Sequence, residues 1–158
     1  MEPKFIVDMN VGRLAKWLRA MGYDALFVRD IDDGGLVRIA QWEERVILTR
    51  DRQLLERRVV TSGRIRALFL RDDQFLLQLR QVTDELGLTD TNDFTRCIEC
   101  NAMLLNMDKA QVEERVPPFV FQTQEKFKEC PDCGKVYWRG THWQNMKQEL
   151  ARVRSEAG

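Results

Sequence analysis

The sequence predicts an α/β fold: a parallel sheet with helices on both faces, followed by a small β module stapled by cysteines. Three observations carry that prediction. A short apolar run ending in an acid recurs as Lys4-Phe5-Ile6-Val7-Asp8, Arg45-Val46-Ile47-Leu48-Thr49-Arg50-Asp51 and Ala67-Leu68-Phe69-Leu70-Arg71-Asp72-Asp73. Unbroken apolar runs suit strands buried on both faces, and amphipathic helical patterns separate them. That alternation stops near residue 90, and all four cysteines lie beyond it.

The first strand is expected over 4–8. Asn10 can cap the next helix, 11–21, whose apolar residues Val11, Leu14, Ala15, Leu18 and Met21 recur at helical spacing, and Gly22 stands where a C-cap glycine belongs. Strand 25–28 leads through an acidic turn to a helix over 34–43, with Leu36, Ile39 and Ala40 inward. Strand 45–49 precedes a helix over 52–58 and a brief extended Val59-Val60 before the Thr61-Ser62-Gly63 turn. Strand 67–71 and a helix over 73–86, stopped by Gly87, complete the unit. The polar segment Thr89-Asp90-Thr91-Asn92-Asp93 is the expected boundary between a unit of residues 1–90 and one of 91–158.

The 158 residues, 44% hydrophobic, suffice for one ordinary domain plus a small module. No apolar run approaches the ~20 residues of a membrane span, and the start lacks the regions of a signal peptide. A cytoplasmic chain with no membrane partner is the expectation. Charge balances at 25 basic and 25 acidic residues, and within each half at 15 against 15 and 10 against 10. Bulk charge therefore gives no support for nucleic-acid binding, and the second half alone is expected to bind RNA weakly. Local charge differs: residues 24–33 hold four acids and one base, residues 50–66 six bases and two acids. An acidic pocket beside a basic shelf suits a metal site that takes a polyanion; two solvated faces of opposite sign are the plainer reading.

The cysteines form two knuckles, Cys97-Ile98-Glu99-Cys100 and Cys130-Pro131-Asp132-Cys133, separated by 29 residues. Two Cys-x-x-Cys pairs at a distance fit one tetrahedral zinc. Disulfides conflict with an intracellular chain, and a redox motif needs one such pair at a helix start. Four thiolates close the site, so its role is folding rather than catalysis. Gly134 supplies the permissive backbone of the second knuckle, and Val116-Pro117-Pro118-Phe119-Val120-Phe121 is a candidate intervening strand. The module is expected to pack on the first unit through Phe119, Phe121, Tyr137 or Trp138. His142 is expected to pack or cap rather than bind metal.

In parallel sheets ligands bind beyond the carboxyl ends of the strands, so three strands ending in Asp bring Asp8, Asp51 and the Asp72-Asp73 pair to one edge. Acids without a basic partner invite a divalent cation. The competing reading of each is a helix N-cap, and Asp72 and Asp73 fit cap and surface roles better. Arg13 and Arg50 stand beside the acids as possible phosphate contacts or structural ion pairs.

The stretch Asp8-Met9-Asn10-Val11-Gly12-Arg13-Leu14-Ala15-Lys16-Trp17-Leu18-Arg19, then Gly22-Tyr23-Asp24, Asp32-Asp33 and Leu48-Thr49-Arg50-Asp51, resembles the Mut-seven C-terminal ribonuclease family. So do Arg96-Cys97, Cys100-Asn101, Val116-Pro117, Cys130 to Cys133, Tyr137-Trp138, Gly140 and His142-Trp143. The resemblance spans nearly the whole chain. It implies a PIN-like nuclease domain fused to a C-terminal zinc ribbon, with Mg²⁺ or Mn²⁺ held by acids for hydrolysis of RNA, single-stranded by expectation. Matched position by position, Asp8, Asp33 and Asp51 are the implied catalytic acids, with Asp32, Asp72 and Asp73 as possible additions. Two departures are Asn10-Val11, where the family tends to have Met-Leu, and Gly34-Gly35, which suggests a looser start to the second helix. A non-catalytic RNA- or ribosome-associated module is the alternative. A receiver-like phosphoacceptor is disfavoured, because Met9 rather than an acid follows Asp8 and no strand-end Lys follows 67–71.

Overall fold

The computed structural model describes residues 2–90 and 92–157; Thr91, inside the expected boundary segment, lies outside them. Strands β1 (Phe5–Val7), β2 (Ala25–Leu26), β3 (Val46–Thr49) and β4 (Ala67–Phe69) form an all-parallel sheet in the order β2-β1-β3-β4. Helices α1 (Gly12–Ala20), α2 (Asp33–Glu43), α3 (Arg52–Leu55), α4 (Arg58–Thr61) and α5 (Phe75–Leu86) link the strands and cover both faces. Strand side chains alternate between two apolar clusters. Phe5, Val7, Val46 and Leu48 join α1 and α5 on one face, while Ile6 and Ile47 join α2 and α3 on the other. A strand with no solvent face has no need of polar alternation.

Local chemistry moves several boundaries. Asn10 does not cap the first helix: Asp8 accepts the Met9 N–H at 2.7 Å and caps a 3₁₀ turn, Met9–Val11, from which α1 continues without a side-chain cap. The expected strands 25–28 and 67–71 shorten to β2 and β4, which lie at the sheet edges and pair on one side only. The expected helix 52–58 divides, because Arg57 is extended, and Val59-Val60 is helical within α4 rather than extended. The last helix of the unit starts at Phe75 after a turn in which Asp72 accepts the Gln74 N–H at 3.0 Å. Gly22 and Gly87 take positive φ, as their positions required. A Cβ on Gly22 would also lie 2.2 Å from the Asn92 carbonyl oxygen.

The second half forms an antiparallel sheet, β5 (Leu105–Met107), β6 (Phe127–Glu129) and β7 (Val136–Tyr137), in the order β5-β6-β7. The expected strand at 116–121 is instead α6 (Pro118–Thr123), opened by an extended Pro117 with Pro118 at its first position. Proline is suited there because the first helical N–H has no intrahelical partner. The last helix, α7 (Thr141–Ala157), turns back onto α5, and Leu150 joins the apolar cluster of the parallel sheet.

That helix, not the aromatics expected from sequence, supplies the apolar contact between the halves. Phe119 is 73% exposed. Phe121 and Trp138 pack inside the ribbon with Val112, Val116 and Phe127, and the Tyr137 hydroxyl lies 3.0 Å from Cys97 Sγ. The rest of the junction is polar. Buried Arg19 donates to Ala25 O (2.8 Å) and Ile98 O (2.9 Å), and Asn101 bonds Ala25 N and Asp24. Among the described residues, no helix is long and apolar enough to cross a membrane.

Candidate functional site: an acid edge and a four-cysteine centre

Chain order makes the crevice. From β1 the chain moves to one neighbour, β2, and then crosses back to the other, β3. Beyond the carboxyl ends of β1 and β3 lies the switch point at which parallel sheets bind ligands. Asp8 leaves β1 there and Asp51 follows β3. Thr49, the one polar side chain of β3, ties them: its hydroxyl donates to Asp8 Oδ2 at 2.8 Å and accepts the Asp51 N–H at 2.9 Å. Thr49 is fully buried. Sequence reasoning passed over it, although a lone hydroxyl in a buried apolar strand was the available signal. Asp51 also caps α3, accepting the Gln53 N–H at 2.9 Å. Cap and site are therefore compatible, since a carboxylate bonded to one N–H keeps further lone pairs.

Asp33 reaches the same place from α2. The capping task falls to Asp32, which accepts the Gly35 N–H at 2.7 Å and leaves the Asp33 carboxyl at the first helical position. Gly35 is packed rather than loose, since a Cβ there would sit 2.9 Å from Ile31. Burial, then the charges of Asp51 and Asp8, raise the Asp33 pKa above its ordinary value; Arg57 opposes them. Among the described residues, none of the three acids makes an ion pair. Carboxylates are the oxygen donors that Mg²⁺ or Mn²⁺ prefers, although among the described residues it is the four cysteines, and not these acids, whose ligand atoms all lie within 4.8 Å of one another.

The other candidates lie in different settings. Asp72 is engaged in the turn before α5, and Asp73 lines a cavity of about 400 Å³ with Asn10, Arg13 and Phe75. The Arg13 guanidinium stacks 3.8 Å over the Phe75 ring. Arg50 donates to Leu70 O at 2.8 Å. Arg57, not singled out from the sequence, is the base acting on Asp33.

The second centre is built from two turns that repeat each other. Cys97 and Cys130 are buried, while Cys100 and Cys133 are exposed. Cys100 N–H points at Cys97 Sγ (3.3 Å) and Cys133 N–H at Cys130 Sγ (3.5 Å). Asn101 and Gly134 then take left-handed φ of 70° and 76°, and each donates 2.9 Å back to the first cysteine's carbonyl. The four sulfurs lie within 4.8 Å of one another, with Cys97 and Cys133 at 3.8 Å. Zinc–sulfur bonds of ~2.3 Å in a tetrahedron give sulfur–sulfur edges of about 3.8 Å. The thiols fit zinc chemically as well. Burial raises Cys97, but the Tyr137 hydroxyl and the Cys100 and Glu99 amides outweigh it and leave it lowered, while Cys100 is pushed up first by its hydrogen bond with Cys133. So crowded a set becomes fully anionic most readily around a cation.

A family model described as the Mut7-C RNAse domain matches residues 3–150. The chain belongs to the Mut7-C RNAse domain family. No curated protein and no solved structure matches it. The Mut7-C match covers both centres, so the parallel sheet and the four-cysteine ribbon are one family unit.

Proposed function

We propose that the chain is a metal-dependent ribonuclease that hydrolyses RNA phosphodiesters at Asp8, Asp33 and Asp51. The observation that carries this reading is the switch-point edge of a ribonuclease-family sheet, where buried Thr49 ties Asp8 to Asp51 and Asp33 lies close enough for their charges to raise its pKa. A bound Mg²⁺ or Mn²⁺ would supply the charge that activates water and offsets the leaving oxygen.

The chain's own residues do the rest. Thr49 and the Met9 N–H fix the two oxygens of Asp8, and the Gln53 N–H fixes Asp51, so two donors are oriented before any ligand arrives. Asp33 approaches the other two acids from the start of α2. Arg50 and Arg52 follow the carboxyl end of β3 and Arg57 acts on Asp33, so positive charge beside the acids favours a polyanion, while Arg64 and Arg66 precede β4 at the opposite end of the sheet. Zinc in the four-cysteine centre holds the ribbon's fold.

The test is cleavage of single-stranded RNA with Mn²⁺ by wild type, Asp8→Asn and Asp51→Asn, with zinc content and thermal unfolding measured in parallel. Each variant keeps its shape and loses a charged donor, so a fall of at least ~100-fold in rate is expected with folding intact. Equal cleavage by the variants, or cleavage indifferent to withholding Mn²⁺, overturns the reading and leaves a non-catalytic RNA-associated module.

A further inference from the structure

We propose that the ribbon carries a second RNA-contacting site, separate from the acid edge, that holds a single-stranded segment by its bases and phosphates. Only the choice of RNA as the polymer rests on the ribonuclease reading.

The second half has no net charge, but its charges are segregated in space. Arg96, Lys126, Lys128, Lys135 and Arg139 line two adjoining cavities that share Phe94. Among the described residues none of the five makes an ion pair. The nearby acids are taken, Asp93 by Lys147 and Glu125 by Lys109. Arg96 is held by the Gly22 and Asn101 carbonyls and Lys128 by that of Phe94, while Lys126, Lys135 and Arg139 add positive charge beside them, which is the electrostatic footprint of a phosphate contact.

The cations are interleaved with aromatic rings. Arg139 lies 5.0 Å from the Phe94 ring centre and 5.1 Å from that of Trp143, and Lys135 lies 5.2 Å from that of Tyr137. Phe94, at the centre, holds a left-handed φ of 61° with its carbonyl accepting Lys128 Nζ at 2.7 Å. A bulky side chain seldom adopts that backbone, and here the ring lies 5.0 Å from both Lys128 and Arg139.

The larger cavity, about 560 Å³, is walled by Tyr137, Trp138, His142 and Trp143, beside the start of α7. That size is within the range of pockets that accept small-molecule groups. A nucleotide has two recognisable parts, a flat π face and a phosphate, and this site offers aromatic walls for one and the exposed cations Lys135 and Arg139 for the other. An acidic peptide would use the cations and leave the aromatic cavity unfilled.

The experiment uses the full zinc-loaded chain without added Mg²⁺ or Mn²⁺ and a short fluorescein-labelled single-stranded RNA, read by anisotropy over a salt series. Lys135 and Arg139 are exposed, so the double variant Lys135→Glu/Arg139→Glu should fold, with unchanged zinc content as the check. Its affinity should fall at least ~10-fold with a shallower salt slope. RNA should also quench tryptophan fluorescence in wild type. Unchanged affinity overturns the proposal, and so does an acidic peptide of equal charge that competes as well as RNA. RNA cleavage is measured on the same samples. Lost binding without any wild-type cleavage would sink the ribonuclease reading alone, and wild-type cleavage with unchanged variant binding would sink this one alone.

Discussion

The four cysteines come from two short turns whose backbones repeat each other, whereas the three acids arrive from a strand end, a helix start and a loop spread over residues 8–51. Each knuckle positions its own pair of sulfurs through local N–H groups and a left-handed residue. The acid edge exists only because the sheet order places β1 beside β3. One centre is written in local sequence and the other in topology. They also differ in what holds them: the cysteines need their ion to close the ribbon, while Asp8 and Asp51 are oriented by hydrogen bonds of the folded sheet.

The largest expected effect tests whether these two centres are energetically separate. The sequence alone suggests that chelation would melt the second half and spare the first. The shared core argues otherwise, because Leu150 from α7 lies in the sheet's apolar cluster and Arg19 ties the sheet to the first knuckle. Purified chain should carry about one zinc. Chelation, or Cys97→Ser at its buried knuckle, should lower the melting temperature of the whole chain by at least ~10 °C, given the ~10 kcal/mol scale of structural zinc binding. Circular dichroism and tryptophan fluorescence should lose signal together. Two transitions, with that of the parallel sheet unmoved, would restore the picture of independent units.

The same contrast explains what the sequence disclosed. Element types in the parallel half were readable because buried strands and 3.6-residue periodicity are local signals, and the cysteine centre was readable from spacing. Boundaries failed where one side chain decided them, as when Asp8 took the cap expected of Asn10 and Pro118 converted an apolar β-like run into α6. Family resemblance, not periodicity, brought Asp33 forward, because nothing local separates it from Asp32. The two part only when Asp32 spends its carboxylate on Gly35 N–H. The junction was illegible for a related reason: Arg19 and Asn101 look like ordinary surface residues until residues 79 and 76 positions away close on them.

A middle-sized effect should come from that junction. Arg19 is 6% exposed and donates to Ala25 O, Ile98 O and Glu99 O, so it joins β2 to the first knuckle. Burial lowers its pKa, while Cys97, Cys100 and Glu99 favour the charge. Arg19→Met keeps the stem and strands the carbonyls, which should cost about 2–3 kcal/mol in urea unfolding. Zinc affinity should fall with it, since four thiolates around Zn²⁺ carry net negative charge beside this guanidinium. A loss within ~0.5 kcal/mol and unaltered zinc affinity would show that Arg19 is not what couples the two centres.

The smallest effect is a pH dependence at the other end of the same junction. Asp24 is disfavoured as an anion by burial, but hydrogen bonds from Arg45 (2.6 Å) and Asn101 (2.6 Å) outweigh this and hold its pKa below the ordinary 3.8. A carboxyl lowered in the folded state contributes stability that is present above its unfolded pKa and lost as pH falls through the folded one. Asp24→Asn should therefore cost about 1 kcal/mol at neutral pH, a modest figure because the side chain is 21% exposed and partly screened. The gap between wild type and variant should close as the pH drops below ~4. Protonation of the cysteines and release of zinc affect both proteins alike, so the difference between their urea midpoints isolates the carboxyl. A gap that stays constant across the range would mean that Asp24 acts through shape and hydrogen bonding, which an amide partly preserves, rather than through charge. The link from sheet to ribbon would then rest on α7 and on the hydrogen bonds of Arg19 and Asn101, without the charge of Asp24.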